Sequence, residues 1–181
     1  MRLDENGNIT WLKESVNSGS TASRFLILTQ DGGTLVGGSH APPAGGGRPL
    51  VHKFKEDGQE EWTYLYKRSE SSVDHLISLN ELSFEEGFIA CGKAQITSGA
   101  QMDAIFLKLD SGGALIWFEG SIVWARTIEG PNEDVVYGVI PTADGGFALS
   151  GNTVEPGSTH SDLWLIQLDQ NLSYCGEKEI N

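Results

Sequence analysis

The stretch Thr142-Ala-Asp-Gly-Gly-Phe-Ala-Leu-Ser-Gly151 joins a tight turn to a short apolar segment, and its pattern occurs three times in the chain. In every copy a glycine is followed by a second glycine five positions later: Gly33 and Gly38, Gly87 and Gly92, Gly146 and Gly151. Two copies begin with Asp-Gly, which favours hairpin turns because both residues tolerate positive φ. The pattern predicts a turn followed by a strand.

Two further signatures follow each time in the same order. An apolar segment with one polar residue at a fixed place recurs as Leu50–Phe54, Ile105–Leu109 and Trp164–Leu168, the polar residues being Lys53, Lys108 and Gln167. A polar turn with the spacing Gly-x-x-x-Trp comes next at Gly58 to Trp62 and at Gly113 to Trp117, and it also precedes the first copy at Gly7 to Trp11. This order predicts a single repeat domain over 1–181, with repeats 3–54, 55–109 and 110–168 and a partial fourth, 169–181.

The third repeat carries extra residues. Trp124 precedes Asp144 by 20 residues, just as Trp11 precedes Asp31, whereas Trp117 lies seven residues before Trp124. Residues 118–124 therefore form a predicted insertion that duplicates the tryptophan.

Each repeat holds four strand candidates, named a to d in chain order, and helical periodicity is absent. The predicted fold is all-β: β-propeller blades of four antiparallel strands, about three in this chain, as a partial propeller or half of a six-bladed ring. Three blades leave open ends, so we expect a second copy, a partner chain or further repeats to complete the ring. The a strands, Phe25–Leu28, Leu76–Leu79 and Val135–Tyr137, are apolar, which argues against catalysis at the axis of such a ring.

The pattern Leu-Asp-x-x-Gly-x-x-x-Trp, then Thr-x-Asp-Gly-Gly-Phe, resembles the propeller repeats of bacterial surface and secreted proteins. It is similar, more loosely, to the tryptophan-docking repeats of quinoprotein-type propellers. The resemblance covers nearly the whole chain, and Lys55 and Cys175 depart from the pattern. It implies that Trp11, Trp62 and either Trp117 or Trp124 pack between adjacent blades. It also implies an extracellular or cell-surface location, although the first residues contain no hydrophobic signal core.

Charge restricts the partners. With 12 Lys and Arg against 25 Asp and Glu, the net charge is −13, so phosphate backbones and anionic membrane surfaces would be repelled. No apolar run is long enough to cross a membrane as a helix. Nucleic acid and membrane insertion are therefore not expected.

No catalytic motif is present, and we predict neither a catalytic residue nor a cofactor or metal. The leading hypothesis is a non-catalytic binding or assembly module that uses blade edges or the variable b–c loops, predicted at 39–48, 93–103 and 152–162. The loop residues predicted to bind are His40, Arg48, Gln101, Glu155 and His160. The expected partner is a protein or a second copy, with a glycan as a further possibility. The alternative is a fragment of a propeller enzyme, a quinoprotein-like dehydrogenase or a glycan-cleaving enzyme.

Several residues allow a second interpretation. The tryptophans could form a sugar-stacking platform, but a residue fixed in every repeat favours packing. Asp4, Asn6 and Asn8 could begin a calcium loop, against the simpler interpretation of a polar turn. Histidine residues in the loops favour solvated side chains over a zinc site. Cys91 lies in an apolar run and is predicted to be a buried thiol, with a disulfide to Cys175 left open.

Overall fold

The structure is a computed structural model that describes residues 1–14, 19–43, 46–66, 73–83, 85–95, 102–115, 117–118, 121–122, 134–154, 158, 160–171 and 173–180. Every regular element among them is a β-strand, which confirms the all-β prediction. The strands are β1 (Arg2–Leu3), β2 (Ile9–Trp11), β3 (Ser20–Leu28), β4 (Thr34–Ala41), β5 (Arg48–Phe54), β6 (Glu60–Leu65), β7 (Asp74–Glu81), β8 (Phe88–Ala94), β9 (Asp103–Leu109), β10 (Trp117–Phe118), β11 (Ser121–Ile122), β12 (Val135–Pro141), β13 (Phe147–Thr153), β14 (Asp162–Leu168) and β15 (Tyr174–Ile180).

Three antiparallel sheets have the same strand order as the chain. The first sheet is β3-β4-β5-β6, the second is β7-β8-β9, and the third is β12-β13-β14-β15. In the second sheet Leu115, which follows β9 in the chain, pairs with Leu109 through a single antiparallel bridge. Two small hairpins, β1-β2 and β10-β11, complete the described strands, and the second hairpin includes part of the predicted insertion 118–124.

The recurring pair of glycines has a steric cause. A Cβ on the second glycine of each pair would lie 2.1 Å (Gly38), 1.9 Å (Gly92) or 2.2 Å (Gly151) from a carbonyl oxygen of the preceding strand. That strand has a bulge at the same place in all three sheets, where its register shifts. The first glycine of each pair faces the last carbonyl of the third strand in the same way. Both positions therefore require glycine.

The sheets stack face to face. β7 lies against β3, β4 and β5 of the first sheet, and β12 lies against the second sheet. Two apolar clusters fill the spaces between them, one around Leu35, Val51 and Ile105 and the other around Phe106 and Phe147. Burial of these side chains is the main source of the stability of the stack.

Equivalent backbone hydrogen bonds link successive sheets. The Asp74 amide donates to Gly47 O at 2.9 Å, and the Asp134 amide donates to Met102 O at 2.9 Å. Both aspartates precede or begin the first strand of their sheet and are buried. Each sheet is thus attached to the preceding one through the same strand end.

The hairpin β1-β2 is anchored to the first sheet by Arg2. Its guanidinium donates to Glu56 O at 2.9 Å and pairs with the Glu56 carboxylate at 3.1 Å. The polar turn that follows β1 is held by Asp4, whose Oδ1 accepts from the amides of Asn6 (2.9 Å) and Asn8 (2.8 Å). The side-chain hydrogen bond from Asn8 Nδ2 to Asp4 Oδ2 at 2.9 Å, followed by the backbone bond from Asn8, lowers the pKa of Asp4.

The polar residue in the third strand of the first sheet is a structural anchor. Lys53 Nζ is buried and donates to Asp31 Oδ2 at 2.6 Å and to Thr29 Oγ1 at 2.7 Å, which ties the strand to the Asp-Gly turn. Lys108 forms an ion pair with Glu85 in the second sheet. The hydrogen bond from Lys53, and then that from Thr29, lowers the pKa of Asp31 to about 2.

We expect Asp31→Asn to destabilise the fold by about 3 kcal/mol, because it leaves the buried Lys53 ammonium without its counter-charge. The double variant Asp31→Asn with Lys53→Met should recover most of this loss. Asp144→Asn is the matched control, since Asp144 occupies the same turn position but Gln167 replaces the lysine; it should cost about 1 kcal/mol. Urea denaturation measures all three. Equal losses for Asp31→Asn and Asp144→Asn would contradict the role of the ion pair.

The ion pair between Lys53 and Asp31 predicts that the stability of the fold depends on pH. Because the pKa of Asp31 is lower in the folded state than its ordinary value of 3.8, the pair stabilises the protein above that pH. The contribution should be lost as the pH falls from 3.8 towards about 2. The double variant should lack this part of the acid dependence.

Candidate functional site: the uncovered face of the first sheet

One face of the first sheet is exposed although the equivalent faces of the other sheets are buried. Leu26 on β3 is 60% exposed, whereas its counterparts Leu79 and Val139 are each 1% exposed. Leu28, on the same face, is 72% exposed. The counterparts are identified by the hydrogen bond that closes the following turn, which the amides of Thr29, Leu82 and Thr142 donate to the carbonyls of Gly33, Gly87 and Gly146. We call this surface, formed by Leu26, Leu28, Val36 and His52, the open face.

A cleft of about 510 Å³ lies on the open face. Leu26, Val36, His52 and Phe54 form part of its wall, and Trp11 of the first hairpin lines it as well. The charged groups at the cleft are Lys13, Glu14 and Glu60.

His52 is the polar exception on this face. Its counterparts in the other sheets are Leu107 and Ile166, which are fully buried. The ring stacks on Phe54 with centroids 5.9 Å apart, and Nδ1 shares a hydrogen bond with Thr63 Oγ1 at 2.7 Å. Nε2 is buried with no hydrogen-bond partner among the described residues. Burial lowers the pKa of His52, which favours the neutral ring.

Two tryptophans cover glycines with the same geometry. The Trp11 ring lies over Gly58, and Trp11 Nε1 donates to Glu56 O at 3.2 Å. The Trp62 ring lies over Gly113, and Trp62 Nε1 donates to Ser111 O at 3.2 Å. In each case the accepting carbonyl lies two residues before the glycine. The hairpin β1-β2 therefore contacts the first sheet in the way that β6 contacts the second.

The other tryptophan positions give less information. Trp117 lies in β10 and only its backbone is described, while Trp124 lies outside the described residues.

The predicted loop residues are only partly brought together. His40 and Arg48 face each other across β4 and β5. His40 is buried and shares a hydrogen bond with Thr21 Oγ1 at 3.1 Å, so the interpretation of His40 as a solvated loop residue is wrong. His160 is exposed before β14, in the corresponding connection of the third sheet. Gln101 and Glu155 lie outside the described residues.

The remaining candidate residues, Cys91 and Asp4, have structural roles. Cys91 is a free buried thiol, and burial raises its pKa to about 12, so it is unreactive at neutral pH. The oxygen atoms of Asp4 are occupied by amides of its own turn. Within the described part of the chain no group of three potential ligands could hold a metal ion, and no helix is long and apolar enough to cross a membrane.

A comparison with models of known protein families finds no match, and a comparison with curated protein sequences finds none either. The open face is therefore identified from the geometry of the structure alone. Sequence reasoning missed His52, although its position is apolar in both other repeats, and that difference was visible in the aligned segments.

Proposed function

We propose that the chain is a set of β-propeller blades that acts as a non-catalytic assembly module, and that its open face binds the inner two strands of a further blade. The observation that carries this proposal is the exposure of Leu26, at 60%, where the equivalent residues of the other sheets are 1% exposed. Large apolar side chains at a position that is otherwise a sheet-to-sheet contact mark an interaction surface.

The geometry favours two strands rather than a whole blade. The hairpin β1-β2 already occupies the outer part of the neighbouring position, because Trp11 contacts the first sheet as Trp62 contacts the second. This neighbouring position therefore lacks strands equivalent to β3 and β4. A hairpin with alternating apolar residues would add to the edge of β1 and cover Leu26 and Leu28, which is recognition by strand addition.

The outer face of the third sheet, at the opposite end of the stack, also supports an assembly role. Leu165 is 42% exposed on its outer face, whereas the equivalent Phe106 and Val51 are fully buried in the other sheets. The described chain thus presents an apolar sheet face at both ends of the stack, as a segment of a larger ring would. The buried Asp74 and Asp134 attach their sheets to the preceding ones through their backbone amides.

The double variant Leu26→Asp with Leu28→Asp tests the proposal. Without a partner, the purified chain is expected to bury its open face against a second copy, giving a mass above 19.6 kDa by light scattering. The variant should lower the mass to 19.6 kDa without loss of far-ultraviolet β signal. Lys55→Ser, on an exposed turn, is the control and should behave as the parent. An unchanged mass in the aspartate variant would contradict the proposal.

A further inference from the structure

The first polar turn has the geometry of a tryptophan-binding turn but holds no tryptophan. Gly7 has a φ of 82°, against 81° at both Gly58 and Gly113. Around Gly58 and Gly113 an added Cβ would meet an indole ring at 2.7 Å and 2.5 Å. A Cβ added at Gly7 would meet no atom within 4 Å among the described residues, its own chain neighbours aside.

The hydrogen bond and the acceptor carbonyl of the first turn also match those of the two turns that a tryptophan covers. In all three turns the amide of the glycine donates to the carbonyl three residues earlier at 3.0 Å, as Gly7 does to Asp4. The carbonyl that accepts an indole N–H belongs to Glu56 in one occupied turn and to Ser111 in the other. Its counterpart in the first turn is the carbonyl of Glu5, two residues before Gly7.

We infer that the turn Asp4–Asn8 is a binding site for a tryptophan side chain that a partner presents from an outer strand. The partner's indole would stack on Gly7, and its N–H would donate to the Glu5 carbonyl. This inference deepens the proposed function, on which it rests, by stating a chemical property of the partner.

The arrangement inside the chain shows what such a partner segment would look like. Trp11 lies on the strand that comes just before the inner strands β3 and β4, and it covers Gly58 in the sheet to which those strands belong. Trp62 has the same relation to β7 and β8 and to Gly113. One continuous segment, a tryptophan strand followed by a hairpin, could therefore cover both Gly7 and the open face.

A second copy attached through its third sheet does not meet this requirement. Trp62 is paired with Lys53, and the residue at the equivalent register of β15 is Gly176, paired with Gln167. That strand offers no indole at the matching place. The partner strand is therefore not β15 of a second copy, and attachment of a second copy through its third sheet would leave Gly7 uncovered.

The test uses the synthetic peptide Gln-Glu-Glu-Trp-Thr-Tyr-Leu, which copies residues 59–65, as the probe. Addition at millimolar concentration should shift the Gly7 α-protons upfield in NMR spectra, because ring currents shield protons above an indole face. The α-protons of Gly58 and Gly113 should already be shifted in the free protein and should not respond. A peptide with phenylalanine in place of tryptophan lacks the N–H and should give a smaller shift.

Two matched variants show whether the response to the peptide comes from binding at the Gly7 turn. Asparagine tolerates positive φ but carries a Cβ, so Gly7→Asn should preserve the turn and block the ring, abolishing the response of the neighbouring turn amides. Gly145→Asn, at a φ of 84° with no atom closer than 3.9 Å, should leave the peptide response intact. No shift at Gly7, or equal turn-amide shifts in Gly7→Asn and the parent, would overturn the inference. The mass of the Leu26→Asp, Leu28→Asp variant is independent of these shifts, so the assembly proposal can stand if the indole site fails.

Discussion

Trp62→Ala should destabilise the protein by about 3–5 kcal/mol, the range for loss of a large packed aromatic side chain. The ring of Trp62 lies over Gly113, contacts Phe88 with centroids 6.1 Å apart and donates to Ser111 O. Its loss would open the contact between the first and second sheets and leave that carbonyl to water.

Chemical denaturation followed by circular dichroism measures the effect of Trp62→Ala. Lys55→Ala is the control, because Lys55 is exposed on a turn away from the open face and its truncation should change stability by less than about 0.5 kcal/mol. The same midpoint for Trp62→Ala and the parent would show that this side chain does not join the sheets.

The second large effect is expected for Gly92→Ala. A Cβ at this position would lie 1.9 Å from the carbonyl oxygen of His75, and that oxygen belongs to a bulged strand that cannot move without breaking its ladder. We expect a loss of about 3 kcal/mol, at the upper end for overpacking in a protein core.

Gly112→Ala provides the comparison for Gly92→Ala. The nearest atom to a Cβ at Gly112 is Asp110 Oδ1 at 3.4 Å, and the residue has no positive φ, so the substitution should be close to neutral. If both variants unfold at the same temperature, the steric account of the paired glycines is wrong.

Much of the fold could be predicted from the sequence because its signals are local and repeated. The Asp-Gly turns at Asp31 and Asp144 place the ends of β3 and β12, and the short apolar segments with one polar residue at a fixed place predict β5, β9 and β14. These signals agree in three copies, and such agreement between local pattern and chain order predicts an all-β repeat.

Strand ends that depend on pairing could not be predicted. The first variable loop was expected at 39–48, but β4 continues to Ala41 and β5 begins at Arg48. Ser39 and His40 have no marked strand propensity; they are held in the ladder because Pro49 and Arg48 lie opposite them. His40 is buried for the same reason, which removes it from the solvated loop surface.

The number of repeats predicted open ends, but which residues form the open face could not be predicted. Leu26, Leu79 and Val139 occupy the same place in their repeats and look alike in sequence. Whether such a residue is covered depends on the neighbouring sheet, which the local pattern does not contain. The three-dimensional stack was needed to separate one exposed copy from two buried ones.

The central claim is that the open face is an interface, and the mass of the purified chain in solution tests it most directly. Light scattering should give a mass above 19.6 kDa for the parent and a mass of 19.6 kDa for the Leu26→Asp, Leu28→Asp variant. A mass near twice that value would indicate a pair. A parent chain that is a cooperatively unfolding monomer of 19.6 kDa, with no binding of an apolar dye, would contradict the account.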